Sequence, residues 1–432
     1  MDPMSIFLAT LALFVVLMVA GSPIFAALGV SSMLGIYLQG GLSALGGIPD
    51  ILHRGLALYS LISIPLFILM GEVIARTTIG GKLFNLFLLC MNRLPGSLAV
   101  ASVGSSAVFG AMSGVSVAGA ATIGRFAIPE MLKHGYSPRL AGGTVAAAGA
   151  LALLIPPSIG FVLYGEMAGQ SIGRLFTAAI IPAILISGLM MLYVWGLSAL
   201  RPQVAPRLHG KVAWKARLAA LSEVWSAVLL VLLVLGTIYF GIATPTEAAG
   251  LGAAGAFVIA AFLKELSLSK AFEIIRSTLV TSGMILLILV SALLFGYILT
   301  RLMIPQKLVM MITDIDLPAW AIFAVVIAFL LVIGMVLDIV SVIVIATPIL
   351  LPVITALGFH PIWFGVVLII TCEMAVITPP VGLNLYVIKG IAPQISLSDI
   401  TRGALPFVLL ELLAIAILLA FPTLALWLPS MM

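Results

Sequence analysis

Charged residues are scarce in this sequence: they make up 8% of it, whereas hydrophobic residues make up 63%. A soluble globular domain carries about 25% charged residues, so the composition excludes that class. Apolar runs of about 20 residues, the length that a bilayer-spanning helix needs, recur from one end of the sequence to the other. These features predict an all-α polytopic membrane protein.

Cysteine and N-terminal positive charge are also nearly absent. The two cysteines, Cys90 and Cys372, lie far apart within apolar segments, which favours a packing role over a disulfide or a metal site. The first residues carry an acid, Asp2, instead of the basic stretch that opens a signal peptide. We therefore expect the first apolar run to remain in the protein as a membrane span.

Acidic residues are missing from one basic stretch near the middle of the chain, residues 201–218, which we call the connector. Its five cations are Arg201, Arg207, Lys211, Lys215 and Arg217. Because cytoplasmic loops of membrane proteins are enriched in Lys and Arg, the connector is expected to be cytoplasmic. Nucleic-acid binding is the less favoured explanation of the same cations.

With the connector in the cytoplasm, the apolar runs can be threaded as about ten full spans and two re-entrant helical hairpins. The spans are predicted near residues 4–22, 24–46, 51–76, 139–166, 174–199, 219–241, 246–264, 276–300, 361–389 and 404–428, and the hairpins at 97–129 and 317–357. Sixteen of the twenty Lys and Arg residues then face the cytoplasm, in agreement with the positive-inside rule. Both termini lie on the outer side.

The two halves of the chain share a set of landmarks, which indicates an internal repeat. The landmarks are Pro129, Gly135, Pro138, Gly142, Pro156 and Pro157 in the first half and Pro352, Gly358, Pro361, Gly365, Pro379 and Pro380 in the second. Every landmark of the second set is one residue closer to Gly334 than its counterpart is to Gly110. The first repeat, 1–200, and the second, 219–432, each hold five spans and one hairpin. Five is odd, so the second repeat is predicted to be inverted, an arrangement typical of secondary transporters.

The tip of the first hairpin is a candidate binding site. Small residues fill the hairpin, and close helix packing is the simplest explanation for most of them. The tip itself, Ser113-Gly114-Val115-Ser116, leaves backbone groups unpaired at membrane depth. Such groups are tolerated only where they are buried in protein or line a cavity, so a binding role is predicted for the tip.

Paired prolines interrupt one span in each half, at Ile155-Pro156-Pro157-Ser158 and at Thr378-Pro379-Pro380. Two adjacent prolines remove two N–H donors and break the helix. A break in the bilayer core frees carbonyl oxygens, which suit a desolvated Na⁺, and Asn384 adds a side-chain oxygen after the second break. The alternative is a structural kink without a ligand. Twin breaks that face twin hairpin tips predict two approximately symmetric cation sites.

Asp338 is the most costly residue of the second hairpin, because an ionisable side chain at mid-bilayer costs at least about 2.5–3.5 kcal/mol. Such a residue is a candidate for function, and the alternative is a protonated Asp338 that is hydrogen-bonded within the hairpin. Glu373 is a weaker candidate. Glu72 is either hydrated near the cytoplasmic edge or involved in coupling, and Glu411 is expected to be structural or to face a partner.

Seven motifs are distributed along the whole chain. They are Ile64-Pro65-Leu66-Phe67 with Met70-Gly71-Glu72, Ile128-Pro129-Glu130-Met131 with Gly135-Tyr136, Ile155-Pro156-Pro157-Ser158, Thr244-Pro245-Thr246-Glu247-Ala248-Ala249, Gly334-Met335 with Asp338, Thr347-Pro348-Ile349-Leu350-Leu351-Pro352, and Ile377-Thr378-Pro379-Pro380-Val381-Gly382-Leu383-Asn384. With these motifs the chain closely resembles the large membrane subunit of the tripartite ATP-independent periplasmic (TRAP) transporters.

The resemblance implies an inverted-repeat, elevator-type transporter of the bacterial inner membrane with both termini in the periplasm. It would use a Na⁺ gradient to import a small organic anion that a periplasmic substrate-binding protein delivers. A small four-helix membrane subunit is implied as well, and we expect it to be a separate chain because no such segment precedes Met1. Contacts with membrane lipid are expected, and none with nucleic acid.

The resemblance also assigns residues by position. Ser113, Ser158 and Asp338 would line the substrate site. Na⁺ would be held by Ser113, Gly114, Ser116, Ile155, Pro156, Asp338, Thr378, Pro379, Gly382 and Asn384. Since Asp338 is itself an anion, we expect it to contact a hydroxyl, an amine or a cation rather than a substrate carboxylate.

Three other classes of protein compete with this assignment. A standalone sodium/anion symporter of the related superfamily would differ by transporting without a binding protein. An intramembrane enzyme would need clustered histidines, cysteines or acids at depth, whereas the four histidines fall at predicted span edges, at His53, His134, His209 and His360. A channel would need neither hairpins nor paired helix breaks.

Overall fold

The computed structural model describes residues 2–208, 212–313 and 317–432, so Met1, His209 and Lys211 lie outside the described residues. Every regular element in these ranges is a helix, which confirms the predicted all-α class. Six of the described helices are long and apolar enough to cross a membrane, and two bent helix pairs would raise the number to eight. The number of ten spans therefore stays a prediction.

The first half of the chain contains ten helices ahead of the connector, counted over the described residues. They are α1 (Pro3–Val19), α2 (Ile24–Leu45), α3 (Ile48–Leu56), α4 (Ser63–Ala75), α5 (Ile79–Met91), α6 (Ser97–Ser113), α7 (Ser116–Lys133), α8 (Pro138–Ala150), α9 (Ile159–Ala168) and α10 (Ile172–Leu200). The predicted hairpin 97–129 corresponds to α6 and α7, which two residues separate. The predicted break in 139–166 lies between α8 and α9.

The second half contains twelve helices, counted over the described residues. Its helices are α11 (Trp214–Glu223), α12 (Trp225–Val231), α13 (Thr237–Tyr239), α14 (Pro245–Phe262), α15 (Leu268–Arg301), α16 (Ile304–Thr313), α17 (Ala319–Gly334), α18 (Ile339–Ala356), α19 (Pro361–Val376), α20 (Leu383–Ile391), α21 (Leu397–Ala420) and α22 (Thr423–Leu426). A π-helical turn, Leu232–Gly236, joins α12 to α13. The pair α17–α18 corresponds to α6–α7, and the pair α19–α20 to α8–α9.

Local sequence signals fix many helix starts. Thr244-Pro245-Thr246-Glu247 predicts a capping box with proline in the first turn, and the structure confirms it: the Glu247 N–H donates to the Thr244 hydroxyl, and the Glu247 carboxylate accepts from the Thr244 N–H. Asp338 caps α18 in the same manner by accepting from the Ser341 N–H at 3.1 Å. Short polar motifs therefore set the residues at which these helices begin.

Two predicted spans are bent near their ends. Span 51–76 bends by 64° between α3 and the segment Tyr59–Ala75, and the span predicted at 219–241 bends by 50° between α11 and the segment Trp225–Tyr239. α3 carries an exposed Arg54–Asp50 ion pair of 2.8 Å, and α11 carries Lys215 and Arg217. Helices with such charges cannot continue into hydrocarbon, so the chain turns where the apolar part begins.

The broken helices form the buried centre of the fold. Every residue of α19 from Ile362 to Val376 is buried, and so is every residue of α8 from Leu140 to Ala150. α8 also approaches α21 closely, because a Cβ on Gly143 would lie 2.1 Å from the Gly403 carbonyl carbon. Small residues allow this kind of approach between helices in lipid. Helices α14 and α15 lie outside this centre and carry large exposed apolar side chains.

Candidate functional site

The first junction, as we call it, is the place where the tip between α6 and α7 meets the break between α8 and α9. α6 ends at Ser113, Gly114 takes a left-handed conformation with φ 60°, and α7 begins at Ser116. A Cβ on Gly114 would lie 2.5 Å from the Pro157 carbonyl oxygen. Only glycine therefore lets the tip approach the break this closely.

Buried oxygen atoms without partners distinguish the first junction. Ser113 and Ser158 are both 0% exposed, and neither hydroxyl has a hydrogen-bond partner in the part of the chain that the structure describes. A buried polar group left unsatisfied costs about 1–3 kcal/mol. Pro156 and Pro157 also cannot donate to the preceding turn, which releases carbonyl oxygens there. Neutral oxygen atoms of this kind are those that hold Na⁺ at broken membrane helices.

The second junction joins the tip between α17 and α18 to the break between α19 and α20. Its halves are held together by a hydrogen bond of 3.2 Å from the Val381 N–H to the Met335 carbonyl. The Thr378 carbonyl oxygen lies 3.0 Å from where a Cβ on Gly382 would stand, and Gly382 has a φ of 50°. The left-handed glycine therefore tightens the break itself here, whereas at the first junction it belongs to the hairpin tip.

Asp338 lies at this second tip and is half-buried. It accepts from the Ser341 N–H and, at 2.5 Å, from the Ser341 hydroxyl, so part of its role is to cap α18. A carboxylate has about four acceptor sites, which leaves oxygen lone pairs free for a further ligand. Asp338 is thus hydrogen-bonded within the hairpin as an acceptor, and both its binding role and its protonated alternative stay predictions.

Asn384 connects the two halves of the protein. It is 0% exposed, and its Nδ2 donates to the Ala146 carbonyl of α8 at 3.1 Å. Its Oδ1 has no hydrogen-bond partner among the described residues. The second broken helix is thus fastened to the first, and one amide oxygen remains free for another ligand.

The two junctions differ in exposure. Pro156 and Pro157 are buried at the first break, whereas Pro379, Pro380 and Val381 are exposed at the second. A cavity of about 160 Å³ opens beside the second junction and is lined by Asp338 and Gly382 among others. The approximate symmetry of the sequence therefore does not extend to solvent access in this conformation.

A larger cavity of about 580 Å³ lies between α4, α7, α15 and the second hairpin tip. It is lined by Glu72, Arg76, Arg125 and Asp338, among other residues. Arg76 is engaged by Glu72 at 3.3 Å and by Glu273 at 2.9 Å. Arg125 is exposed and forms no ion pair with any described residue. This cavity brings an unpaired cation and the candidate carboxylate Asp338 into one space.

The predicted substrate residues do not all line this cavity. Asp338 does, but Ser113 and Ser158 are buried at the first junction. Gly71 lines the cavity and also packs against the first tip. A Cβ on Gly71 would lie 2.6 Å from the Ser113 carbonyl oxygen. Arg125 is absent from the sequence-based assignment, although a single cation within the small apolar hairpin 97–129 was a signal for it.

Glu373 and Glu411 form a second buried acidic group in α19 and α21. Both are 0% exposed, and none of their carboxyl oxygens has a hydrogen-bond partner in the described ranges. Because an unpaired buried charge costs far more than a neutral group, the pair is expected to be uncharged.

Comparisons with known proteins are consistent with this geometry. Residues 11–424 match the family described as "Tripartite ATP-independent periplasmic transporter, DctM component". The C4-dicarboxylate TRAP transporter large permease protein DctM of Vibrio cholerae is 33% identical over 96% of this chain and 96% of its own length. The isethionate TRAP transporter permease protein DctMQ of Oleidesulfovibrio alaskensis is 33% identical over 96% of this chain, which spans 65% of that relative's length.

Among solved structures, the YdaH transporter of Alcanivorax borkumensis has a similar fold. The TM-score is 0.59, the sequences are 16% identical, and the match covers 89% of each chain. At this identity the likeness concerns the fold alone.

Proposed function

The chain belongs to the DctM component family of tripartite ATP-independent periplasmic transporters, and from that premise we propose that it is a Na⁺-coupled importer of a small organic anion. Its relatives are transporter permeases and not enzymes. Membership of this family makes it a multi-pass protein of the bacterial inner membrane that takes up solute.

The observation that carries Na⁺ coupling is the pair of tip–break junctions with free, buried oxygen atoms. Na⁺ would be held at the first junction by Ser113, Gly114, Ser116, Ile155 and Pro156. At the second it would be held by Asp338, Thr378, Pro379, Gly382 and Asn384. Most of these groups offer neutral hydroxyl, amide or carbonyl oxygens, as Na⁺ sites at unwound membrane helices do. The first junction has no titratable group among these residues, so a proton could not replace Na⁺ there.

The substrate is proposed to bind in the 580 Å³ cavity, whose volume falls within the range of about 300–1,000 Å³ that is usual for small-molecule sites. Arg125 supplies an unpaired guanidinium there, which suits a carboxylate or a related anionic group. Asp338 lies on the same cavity and would contact a hydroxyl, an amine or a cation of the solute. Ser113 and Ser158 would contact the substrate in a conformation in which the first junction opens toward this cavity.

An elevator mechanism is supported by the way the broken helices are fastened to one another. Asn384 of the second broken helix bonds to Ala146 of the first. The substrate cavity lies between the second hairpin tip and the helices α4 and α15, which leaves space for movement there. We propose that the hairpins and broken helices move as one body past these outer helices, with the repeats 1–200 and 219–432 inverted and both termini in the periplasm.

Two partners are proposed on the basis of family membership. One is a periplasmic substrate-binding protein, and the other is a small four-helix membrane subunit. The relative DctMQ is named as a single permease protein of greater length, and this chain covers only part of it. The connector, with its cations, is proposed to lie on the cytoplasmic side.

Uptake into proteoliposomes tests the proposal. The chain would be reconstituted with its small subunit. The solute would first be chosen by thermal-shift screening of the binding protein, encoded by a neighbouring gene, against carboxylates and sulfonates. Uptake is expected to require an inward Na⁺ gradient and the binding protein. Equal uptake from a proton gradient in Na⁺-free buffer would refute Na⁺ coupling, and full uptake without the binding protein would favour a standalone symporter.

A further inference from the structure

A second large cavity plays no part in the proposed transport function. It has a volume of about 560 Å³ and lies between α6, the first break, α10 and the π-helical turn before α13. Six residues represent its walls: Ala107, Pro156, Ile184, Gly188, Leu235 and Tyr239. We call it the lateral cavity.

The lateral cavity opens toward the membrane. Its lining is apolar apart from Ser187 and Tyr239. On α10, Ile184 is 67% exposed, and the exposed Gly188 has open space where a side chain would stand. α10 is also one of the helices apolar and long enough to span a bilayer. The medium outside this opening is therefore expected to be hydrocarbon.

The length of the cavity matches one leaflet. Its walls follow α10 from Ile180 to Met191, and eleven steps of about 1.5 Å give roughly 16 Å. The hydrocarbon core of a bilayer is about 30 Å thick, so one leaflet is about 15 Å deep. A single acyl chain has this length, whereas a side chain or a compact solute does not.

The polar end of the cavity is at Tyr239. The Tyr239 hydroxyl is buried and has no hydrogen-bond partner among the described residues. α13 ends at Tyr239, and the following Phe240 and Ile242 are 83% and 74% exposed. Tyrosines at the ends of spans sit at the level of lipid headgroups. A free hydroxyl donor at that level suits the ester carbonyl of a phospholipid.

We propose that the lateral cavity binds one acyl chain of a membrane phospholipid, with the ester group at Tyr239 and the hydrocarbon extending to Pro156. The π-helical turn supports this assignment, because such turns are rare and frequently mark functional sites. The bound acyl chain would fill the space between the first junction and the span formed by α12 and α13. The proposal does not rest on the identity of the coupling ion or of the substrate, although Pro156 also belongs to the first junction.

Photo-crosslinking tests it in nanodiscs that hold the chain with its small subunit. A phosphatidylcholine with a diazirine in one acyl chain is the probe, and labelled peptides are located by mass spectrometry. Labels are expected to concentrate on the α10 residues of the cavity. Gly188→Leu should reduce them to background, whereas Gly196→Leu should not. Gly196 is the matched control because it lies on the same helix, outside the cavity, also with open space at its Cβ.

Tyr239→Phe keeps the shape of the cavity and removes only the hydroxyl. Loss of one hydrogen bond should lower labelling roughly fivefold. Labels spread evenly along α10 and unchanged in Gly188→Leu would overturn the proposal, since they would report bulk lipid. Labels that appear on the α10 cavity residues only in nanodiscs lacking the small subunit would also overturn it, since a protein helix would then cover the opening in the complex.

Discussion

Replacing Gly114 by alanine is expected to have two costs at the first junction, one from the backbone conformation and one from a steric contact. Gly114 has a φ of 60°, and its Cβ would lie 2.5 Å from the Pro157 carbonyl oxygen. The left-handed conformation costs an alanine about 1–2 kcal/mol. The forced contact adds about 1–3 kcal/mol, as overpacking of a buried site does. The carbonyl must also move, and it belongs to the oxygen cluster proposed to hold Na⁺.

Gly169→Ala is the matched control. Gly169 also ends a helix in the left-handed conformation, with φ 62°, but no atom lies within 4 Å of its Cβ. It therefore shows the conformational cost without the contact. We expect Gly114→Ala to lower stability by about 1–3 kcal/mol more than Gly169→Ala.

The assay is the Na⁺ dependence of uptake in proteoliposomes, together with melting of the purified protein with and without Na⁺. Displacement of the Pro157 carbonyl would remove one Na⁺ contact. If that contact is comparable to a hydrogen bond to a charged group, the free energy of Na⁺ binding weakens by about 1.5–3 kcal/mol. At about 1.4 kcal/mol per tenfold, the Na⁺ midpoint should rise by roughly 10- to 100-fold. Stabilisation by Na⁺ should shrink in parallel, because it follows the ratio of concentration to dissociation constant.

One result would refute this reasoning. If Gly114→Ala melts earlier than Gly169→Ala but retains the Na⁺ midpoint of the unmodified chain, then the contact is real and the junction holds no coupling ion. The first break would then be a structural kink, as one alternative reading of the prolines has it.

Three further substitutions test the remaining assignments. Asp338→Asn should abolish uptake but keep the fold, because Asn also caps helices well; normal uptake would make Asp338 a cap only. Arg125→Gln should raise the substrate KM with little change in melting, since Arg125 is exposed and unpaired within the described ranges; an unchanged KM would remove Arg125 from the substrate site. Glu373→Gln should melt and transport normally, because a neutral amide replaces a carboxyl expected to be uncharged; loss of uptake in a stable protein would give Glu373 a functional role.

Much of the candidate site was predictable, since its parts are local. Paired prolines break a helix wherever they occur, and the breaks lie where the sequence predicted them. The tips at Ser113–Ser116 and before Ile339 also follow from short motifs of small and polar residues. The roles of these residues in binding substrate and Na⁺ stay predictions.

What the sequence by itself determined is therefore the helical class, the two proline breaks and the turn at the first hairpin tip. These features depend on N–H groups, side-chain caps and apolar length, all of which act within a few residues. Only the tertiary structure placed Gly114 against Pro157, joined Asn384 to Ala146, and brought Arg125 and Asp338 to one cavity. Only it made the second break exposed and the first buried. Such contacts join residues far apart in the chain, and they depend on how whole helices pack, which no local motif encodes.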